Sequence, residues 1–179
     1  MNSNKKSTVK IIGGSWKRKN IFFNDSNSLR PSLNRVRETL FNWLDQDLSY
    51  KKCLDLFAGS GVLGFESLSR NAESCSFVEK NKSTALNLTD NMNNLNAENA
   101  FIINTSAEIF LENSDDLFDI IFYDPPFSTV NPNLFLFEIK NHLKPEGVIY
   151  FETNKQYIGK EFKILKNSKA GKVYFYLLQ

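Results

Sequence analysis

The stretch Cys53-Leu-Asp-Leu-Phe-Ala-Gly-Ser-Gly-Val-Leu-Gly64 decides the fold class of this 179-residue chain. Its first five residues form a short apolar run that predicts a β-strand, and residues 62–70 have the apolar spacing of a helix. Between them, Gly59-x-Gly61-x-x-Gly64 lets the backbone approach a ligand closely where a helix begins. The segment therefore predicts a strand, a tight ligand-binding turn and a helix.

Outward from this turn, the chain alternates between strand and helix patterns. Further strands are predicted at 74–79, 101–104, 118–123 and 148–151, and further helices at 82–95, 107–111 and 134–143. Residues 162–165 and 173–178 predict a closing hairpin around Lys169-Ala170-Gly171. This order predicts an α/β fold whose seven-stranded, mostly parallel sheet is covered by helices on both faces and ends in a C-terminal antiparallel hairpin.

The acid in front of the glycines indicates which ligand the turn binds. Asp55 would repel a pyrophosphate but would attract a ligand with a positive amino group or sulfonium, such as S-adenosylmethionine. Glu79, at the end of the next strand, could accept hydrogen bonds from ribose hydroxyls. A nicotinamide or flavin site, or a purely structural turn capped by Ser60, remains an alternative.

A second turn follows the most apolar predicted strand. In Asp124-Pro125-Pro126-Phe127, two prolines stiffen the backbone and remove two N–H donors, so that the turn presents acceptors. These acceptors suit an exocyclic amine, and the Phe127 ring could stack on a planar base. The structural alternative is a rigid end of a strand with a buried Phe. Parallel strands place this turn and the glycine turn at the same edge, which favours the functional interpretation.

Charge is distributed unevenly although the net charge is only +2. Residues 1–37 hold nine Lys and Arg against one acid, residues 38–154 hold seven against eighteen, and residues 155–179 hold six lysines against one Glu. Four of the five arginines precede residue 38. Arg offers a planar fork for phosphates and base edges, although an ordinary solvated face is the usual explanation of a basic run. A nucleic-acid contact is favoured here because the cluster adjoins a site whose apparent substrate is a nucleobase.

Several classes of protein do not fit the composition. Cys53 and Cys75 are not in a C-x-x-C pattern, and His142 is the single histidine, so we expect no disulfide framework, no metal site and no histidine base. The N-terminal residues lack the apolar core of a secretory signal, and no apolar stretch approaches the roughly 18 residues of a membrane span. We therefore expect a cytoplasmic protein that contacts no membrane.

Both turns resemble those of class I S-adenosylmethionine-dependent methyltransferases, in which an [Asp/Asn/Ser]-Pro-Pro-aromatic turn accompanies methylation of exocyclic nitrogens. Three further segments, Ile11–Lys19, Leu29–Leu44 and Leu54–Gly61, closely resemble the bacterial RsmD family. The Arg-Pro…Arg-Val-Arg-Glu…Leu-Phe-Asn block within Leu29–Leu44 is much more specific than the glycine turn, and the likeness covers nearly the whole chain. This resemblance implies methylation of a guanine N2 amine in 16S rRNA of the small ribosomal subunit.

The resemblance also implies roles for particular residues. We expect S-adenosylmethionine to be bound by Asp55, Phe57, Ala58, Gly59, Ser60, Gly61 and Glu79. Ser106 stands where many wider relatives carry an Asp or Asn that binds the adenine amine, and its hydroxyl would accept that bond more weakly. The expected catalytic residues are Asp124, Pro125, Pro126 and Phe127.

Within the basic end, cations are combined with an aromatic ring. We expect a basic RNA-binding extension over residues 1–37, a methyltransferase domain over residues 38–179, and RNA contacts from Trp16, Lys17, Arg18, Lys19, Arg30, Arg35 and Arg37. Arg35 or Arg37 could instead pair with acids of the core. Lysines between Lys155 and Lys172 could also contact RNA.

The expected reaction uses the cofactor-binding, catalytic and RNA-binding residues of a single, monomeric chain. An unpaired or flipped guanine would stack on Phe127, while Asp124 and the Pro125 carbonyl hold its N2 amine. The remaining alternatives are methylation of DNA adenine N6 or of a protein glutamine, a nicotinamide-dependent oxidoreductase, and a non-catalytic RNA-binding or assembly factor.

Overall fold

A computed structural model describes residues 6–24, 34–126 and 132–179 of the chain. The strands are β1 (Lys6–Lys10), β2 (Asn20–Asn24), β3 (Lys52–Asp55), β4 (Ser74–Val78), β5 (Ala100–Ile103), β6 (Phe118–Tyr123), β7 (Leu143–Thr153), β8 (Ile164–Ala170) and β9 (Val173–Leu178). The helices are α1 (Asn34–Leu44), α2 (Val62–Ser69), α3 (Lys82–Leu95), α4 (Ala107–Asn113) and α5 (Pro132–Lys140). None of these helices is long and apolar enough to cross a membrane.

Seven of these strands form one sheet in the order β5-β4-β3-β6-β7-β9-β8. Neighbours from β5 to β7 run parallel, while β9 runs antiparallel to both β7 and β8. The predicted mostly parallel sheet with a C-terminal hairpin is confirmed. The chain leaves β3 toward β5 and later returns to β6, so the strand order reverses between β3 and β6, the kind of position where ligands bind in such sheets.

The central strands are apolar because both of their faces are covered. Along β3 and β6, alternate residues point into two different buried clusters. Cys53 and Phe122 face the layer that contains α1, α2 and α3, whereas Leu54 and Tyr123 face α4 and α5. These strands therefore show continuous apolar runs rather than an alternation of apolar and polar residues.

The observed bounds of α5 and β7 differ from the predicted ones. The helix predicted at 134–143 is Pro132–Lys140, and the strand predicted at 148–151 begins at Leu143. Leu143 pairs with Phe118, and the register then shifts before the pair formed by Ile120 and Val148. Pro145 and Gly147 thus lie within an irregular part of a longer strand. Similarly, the first hairpin strand is Ile164–Ala170 rather than 162–165.

The basic N-terminal segment contains an antiparallel hairpin, β1–β2, that the sequence did not predict. Ile11, directly after β1, and Ile21 of β2 are fully buried. They belong to the same hydrophobic cluster as core residues of α1, α2 and α3. From α3, the Asn91 side chain accepts a bond from the Phe22 N–H (2.9 Å) and donates one to the Phe22 carbonyl (2.7 Å). The expected boundary between residues 37 and 38 falls inside α1. The hairpin therefore shares its core with the sheet domain, and its RNA contact stays a prediction.

Candidate functional site

The glycine turn is fixed by backbone bonds to the strands beside it. The Ala58 N–H donates to the Val78 carbonyl (3.0 Å), and the Gly61 N–H donates to the Ala58 carbonyl (2.6 Å). Gly61 has φ +74°, and a Cβ placed there would lie 2.5 Å from Leu88 Cδ2. A Cβ at Gly64 would lie 2.3 Å from the Phe77 ring, so α2 packs closely on β4. Both glycines are required by sterics, as the motif predicts.

Asp55 ends β3 directly in front of this turn, with a side chain that is only 3% exposed. One carboxyl oxygen, Oδ2, accepts a bond from the Gly64 N–H at 3.1 Å. Burial raises the pKa of this carboxyl to about 7, and the charge of Glu79 contributes in the same direction. A nearby cation would stabilise the ionised form, so this position favours a positively charged ligand.

Glu79 follows β4 and ties two turns together. Its Oε2 accepts from the Gly59 N–H at 3.0 Å, and its Oε1 accepts from the Asn81 N–H at 2.7 Å. The side chain is half-buried at the edge where β3 and β4 end. Because a carboxylate has roughly four lone-pair positions, Glu79 retains capacity to accept bonds from hydroxyl groups.

Two further predicted cofactor residues lie at the same edge. Phe57 is half-buried, and its ring centroid lies 5.8 Å from those of both Tyr123 and Phe135, which gives the site an aromatic wall. Ser106 follows β5 and caps α4, since its Oγ accepts from the Ile109 N–H at 3.3 Å. The sequence prediction did not foresee that this hydroxyl caps a helix. The cap leaves the hydroxyl proton available to another partner.

The Asp-Pro-Pro turn begins immediately after β6. Asp55 pairs with Phe122 across the parallel strands, which places Asp124 two residues beyond that pair at the same edge. Asp124 is half-buried, Pro125 is buried and Pro126 is exposed. Phe127 lies outside the described residues. The two turns that the sequence predicted to meet therefore do meet, at the ends of adjacent central strands.

The chemistry of this edge fits S-adenosylmethionine. A buried carboxyl precedes the glycine turn, and a second carboxylate stands at the next strand end. These features suit a cation joined to a ribose, whereas a pyrophosphate would meet two carboxyl groups and is disfavoured.

Basic residues predicted to contact RNA lie in the connection between β1 and β2. Lys17, Arg18 and Lys19 are exposed and Trp16 is half-buried. The connection is anchored on α2, because the Ser15 N–H donates to the Ser69 carbonyl (2.7 Å) and the Trp16 N–H donates to Ser69 Oγ (2.9 Å). Three cations are thus presented to solvent on an ordered support.

The other predicted RNA-binding arginines behave differently from one another. Arg35, in the first turn of α1, is exposed, and Arg30 lies outside the described residues. Arg37 is fully buried, where its Nη1 lies 2.6 Å from Glu66 Oε1. A side chain without solvent access cannot reach a phosphate, so the predicted RNA contact of Arg37 is wrong. The alternative considered for it, pairing with a core acid, is what the structure has.

Glu66 also binds Arg70 through its second oxygen, which completes a buried Arg–Glu–Arg group. The Arg70 guanidinium lies 4.2 Å from the Phe41 ring centroid. Sequence analysis did not single out Glu66 or Arg70. The sequence carried a signal for this ion pair. Glu66 and Arg70 are four residues apart in a segment that is otherwise mostly apolar, so both charges are expected to be buried and to need partners.

A second missed residue is Glu152, near the end of β7. Its side chain is 5% exposed and accepts a hydrogen bond from the Tyr150 hydroxyl. The Tyr123 and Phe151 pair places Asp124 and Glu152 next to each other where β6 and β7 end. An acid directly after the apolar run 148–151 was the available signal, since strand ends at this edge carry the other candidate residues.

Comparison with known proteins agrees with this arrangement. The family described as "Conserved hypothetical protein 95" matches residues 9–179. "Ribosomal RNA small subunit methyltransferase D" of Haemophilus influenzae is 40% identical over 98% of this chain and 96% of its own length. Its namesake of Escherichia coli strain K12 is 36% identical over 96% and 89%.

Among solved structures, "Putative methyltransferase yhhF from Escherichia coli" superposes with a TM-score of 0.86 and 34% identity. The match covers 97% of this chain and 98% of that one. Together with the strand order, this likeness confirms the class I methyltransferase fold. The chain belongs to the family described as conserved hypothetical protein 95, and its full-length relatives identify it as a member of the RsmD methyltransferase family that its motifs resemble.

Proposed function

We propose that this protein transfers a methyl group from S-adenosylmethionine to the exocyclic N2 amine of a guanine in 16S rRNA. The observation that carries the proposal is the meeting of the glycine turn and the Asp-Pro-Pro turn at adjacent strand ends, with Asp55 and Asp124 at one edge of the sheet. The names of the full-length relatives support a ribosomal RNA substrate from the small subunit.

Residues around the glycine turn would hold the cofactor. Asp55 would stabilise its positive charge, Glu79 would accept bonds from its ribose hydroxyls, and Phe57 and Ser106 would border its base. The bound cofactor supplies an activated, electrophilic methyl group.

The Asp-Pro-Pro turn positions the amine. The Asp124 carboxylate and the Pro125 carbonyl accept its two N–H groups, which directs the nitrogen lone pair away from the turn. Transfer forms an N–CH₃ bond and breaks the S–CH₃ bond, whose electron pair stays on sulfur. The proton released from nitrogen passes to the Asp124 carboxylate or to water. Catalysis then consists of orientation and exclusion of water, and stacking of the base on Phe127 completes the proposed site.

RNA would be bound by the exposed cations Lys17, Arg18, Lys19 and Arg35, together with Trp16. Phosphates attract the charges, and an unstacked base can lie against an aromatic or guanidinium plane. The connection that carries Lys17, Arg18 and Lys19 is anchored at Ser69, the C-terminal end of α2, whereas the glycine turn lies at the N-terminal end of the same helix. We further propose that the protein acts as a monomer in the cytoplasm.

Mapping N2-methylguanine in 16S rRNA, with and without this protein, tests the proposal. We expect one guanine to lose its N2-methyl group in a strain without the gene and to regain it when the gene is restored. Purified protein should transfer labelled methyl groups to small subunits from the deletion strain. Transfer to DNA adenine or protein glutamine instead would establish one of the alternative substrates, and binding without transfer would indicate an assembly factor.

A further inference from the structure

Glu152 occupies a place in the candidate site that the two turns leave unexplained. In the register of β6 and β7, Phe122 pairs with Tyr150 and Tyr123 pairs with Phe151. The next residues along these strands are Asp124 and Glu152. Because side chains alternate along a strand, Glu152 of β7 shares the sheet face of Tyr150, and the charge of Asp124 also acts on Tyr150. Glu152 therefore lies on the face that α1 and the N-terminal hairpin cover, and Asp124 lies close to it.

Burial makes the Glu152 carboxylate costly unless strong donors surround it. The side chain is 5% exposed, and the Tyr150 hydroxyl, itself fully buried, donates to Oε1. This bond fixes the orientation of the carboxylate. An acceptor held in this manner at a substrate-binding edge is suited to recognise a planar group that has adjacent N–H donors.

Guanine is the nucleobase that presents such donors beside its exocyclic amine, because N1–H and N2–H lie side by side on its Watson–Crick edge. Adenine has an unprotonated N1 beside its amine, so a carboxylate there would face a lone pair. We infer that Glu152 is a specificity-determining residue that accepts the N1–H of the target guanine, while Asp124 and Pro125 hold the N2 amine. Tyr150 acts as a positioning residue for Glu152. The inference rests on the proposed function, which it deepens.

The test compares guanine with 2-aminopurine at the target position of a 16S rRNA fragment that the wild-type protein methylates. 2-Aminopurine keeps the exocyclic amine but has an unprotonated N1. We expect the wild type to prefer guanine by about 100-fold or more in kcat/KM, since the carboxylate would face an unprotonated nitrogen in place of the N1–H donor. In Glu152→Gln, whose amide can donate to N1, that preference should fall by about tenfold or more. 2-Aminopurine also lacks the O6 of guanine. This difference affects both proteins, so it cancels when the preference of the variant is compared with that of the wild type.

Glu146→Gln provides a matched control, because Glu146 is an exposed acid on the same strand. It should keep the wild-type preference. Thermal unfolding and S-adenosylmethionine binding should be similar in both Gln variants. If Glu152→Gln does not fold, Tyr150→Phe replaces it, and it should weaken the preference in the same direction.

The possible failures are distinguishable. A wild-type protein inactive on every guanine-containing RNA would overturn the proposed function itself. A wild type that methylates guanine, together with a folded Glu152→Gln variant that keeps the full preference over 2-aminopurine, would overturn only the role of Glu152.

Discussion

At the scale of single residues, the site depends on two aspartates with different surroundings. Asp55 is buried, and its pKa is raised to about 7. Asp124 is half-buried at the end of the next strand. The first is suited to respond to the charge of the cofactor, and the second to hold the amine of the substrate.

The raised pKa of Asp55 predicts pH-dependent cofactor binding. Below pH 7 the carboxyl is mostly protonated and neutral, and above pH 7 it is ionised and attracts a cation. Affinity for S-adenosylmethionine should therefore rise by roughly tenfold between pH 5.5 and 7, measured by calorimetry. Asp55→Asn should bind more weakly at pH 7 and lose most of this rise, whereas the exposed-site control Asp45→Asn should keep it. A wild-type affinity that does not change over this range would contradict the prediction.

The raised pKa of Asp55 should also make the free energy of unfolding depend on pH. This free energy should fall as the pH rises, whereas the affinity for the cofactor should increase. Its pKa is raised on folding, so the folded protein binds this proton more tightly than the unfolded chain. The contribution of this group to the free energy of unfolding should decline as the pH rises from about 4 to 7. Binding of a cation restores part of this free energy, which couples cofactor binding to stability.

For Asp124, we expect Asp124→Ala to separate binding from transfer. The side chain is expected to hold the substrate amine rather than the cofactor. The variant should therefore bind S-adenosylmethionine with an affinity within about threefold of wild type and lose about 100-fold or more in the rate of transfer. Equilibrium dialysis and labelled-methyl transfer measure the two quantities. Full transfer activity in the variant would remove Asp124 from the proposed mechanism.

At the scale of elements, α2 connects the glycine turn to the N-terminal hairpin. Its first turn packs on β4 through Gly64. Farther along, Glu66 Oε1 accepts from the Ile12 N–H at 2.7 Å and also binds Arg37 of α1. The buried Arg–Glu–Arg group thus fixes α1, α2 and the start of the basic connection relative to one another.

Removing Glu66 should be strongly destabilising. Glu66→Ala leaves Arg37 and Arg70 buried without their carboxylate, and we expect a loss of about 3–5 kcal/mol in the free energy of unfolding. Urea denaturation measures this loss. Glu73→Ala is the control, because Glu73 and Lys52 are each about half-exposed and lie 3.8 Å apart. It should cost less than about 1 kcal/mol. Equal losses in the two variants would contradict the structural role of the buried group.

On the scale of the whole molecule, the basic residues of the N-terminal and C-terminal segments have different structural surroundings. Lys17, Arg18 and Lys19 lie on a connection anchored to α2. Lys166 and Lys169 lie on β8, an edge strand of the seven-stranded sheet, and Lys172 lies in the turn after β8. Lysines on an edge strand discourage pairing with other chains, a structural purpose that needs no RNA.

This difference predicts unequal effects on RNA binding. Replacing Lys17, Arg18 and Lys19 with Ala should weaken RNA affinity and reduce the slope of log K against log salt by roughly 2. Replacing Lys166, Lys169 and Lys172 with Ala removes the same charge and should change that slope by less than about 1. Filter binding at several salt concentrations measures both slopes. The reverse order would place the RNA on the hairpin at the C-terminal end of the chain.

Much of the architecture could be predicted because it depends on local patterns. The apolar runs of β3 and β6 and the helical spacing between them indicate a parallel sheet with helices on both faces. A side chain at position 61 or 64 would clash with its neighbours, so both residues must be glycine. These glycines make the turn recognisable in the sequence. The β1–β2 hairpin was missed because its strands are short, and because Asn91 of α3, far along the chain, supports it through hydrogen bonds to Phe22.

From residue 53 onward, the sequence by itself determined the order of strands and helices, the two turns and the edge at which they meet, because neighbouring residues encode all of these. Only the tertiary structure decided that Arg37 is a core residue, that Asp55 titrates near neutral pH, and that Glu152 stands beside Asp124. The physical reason is that burial and long-range pairing set the charge and the partners of a side chain. Arg37 and Glu66 are 29 residues apart, and no local pattern records their contact.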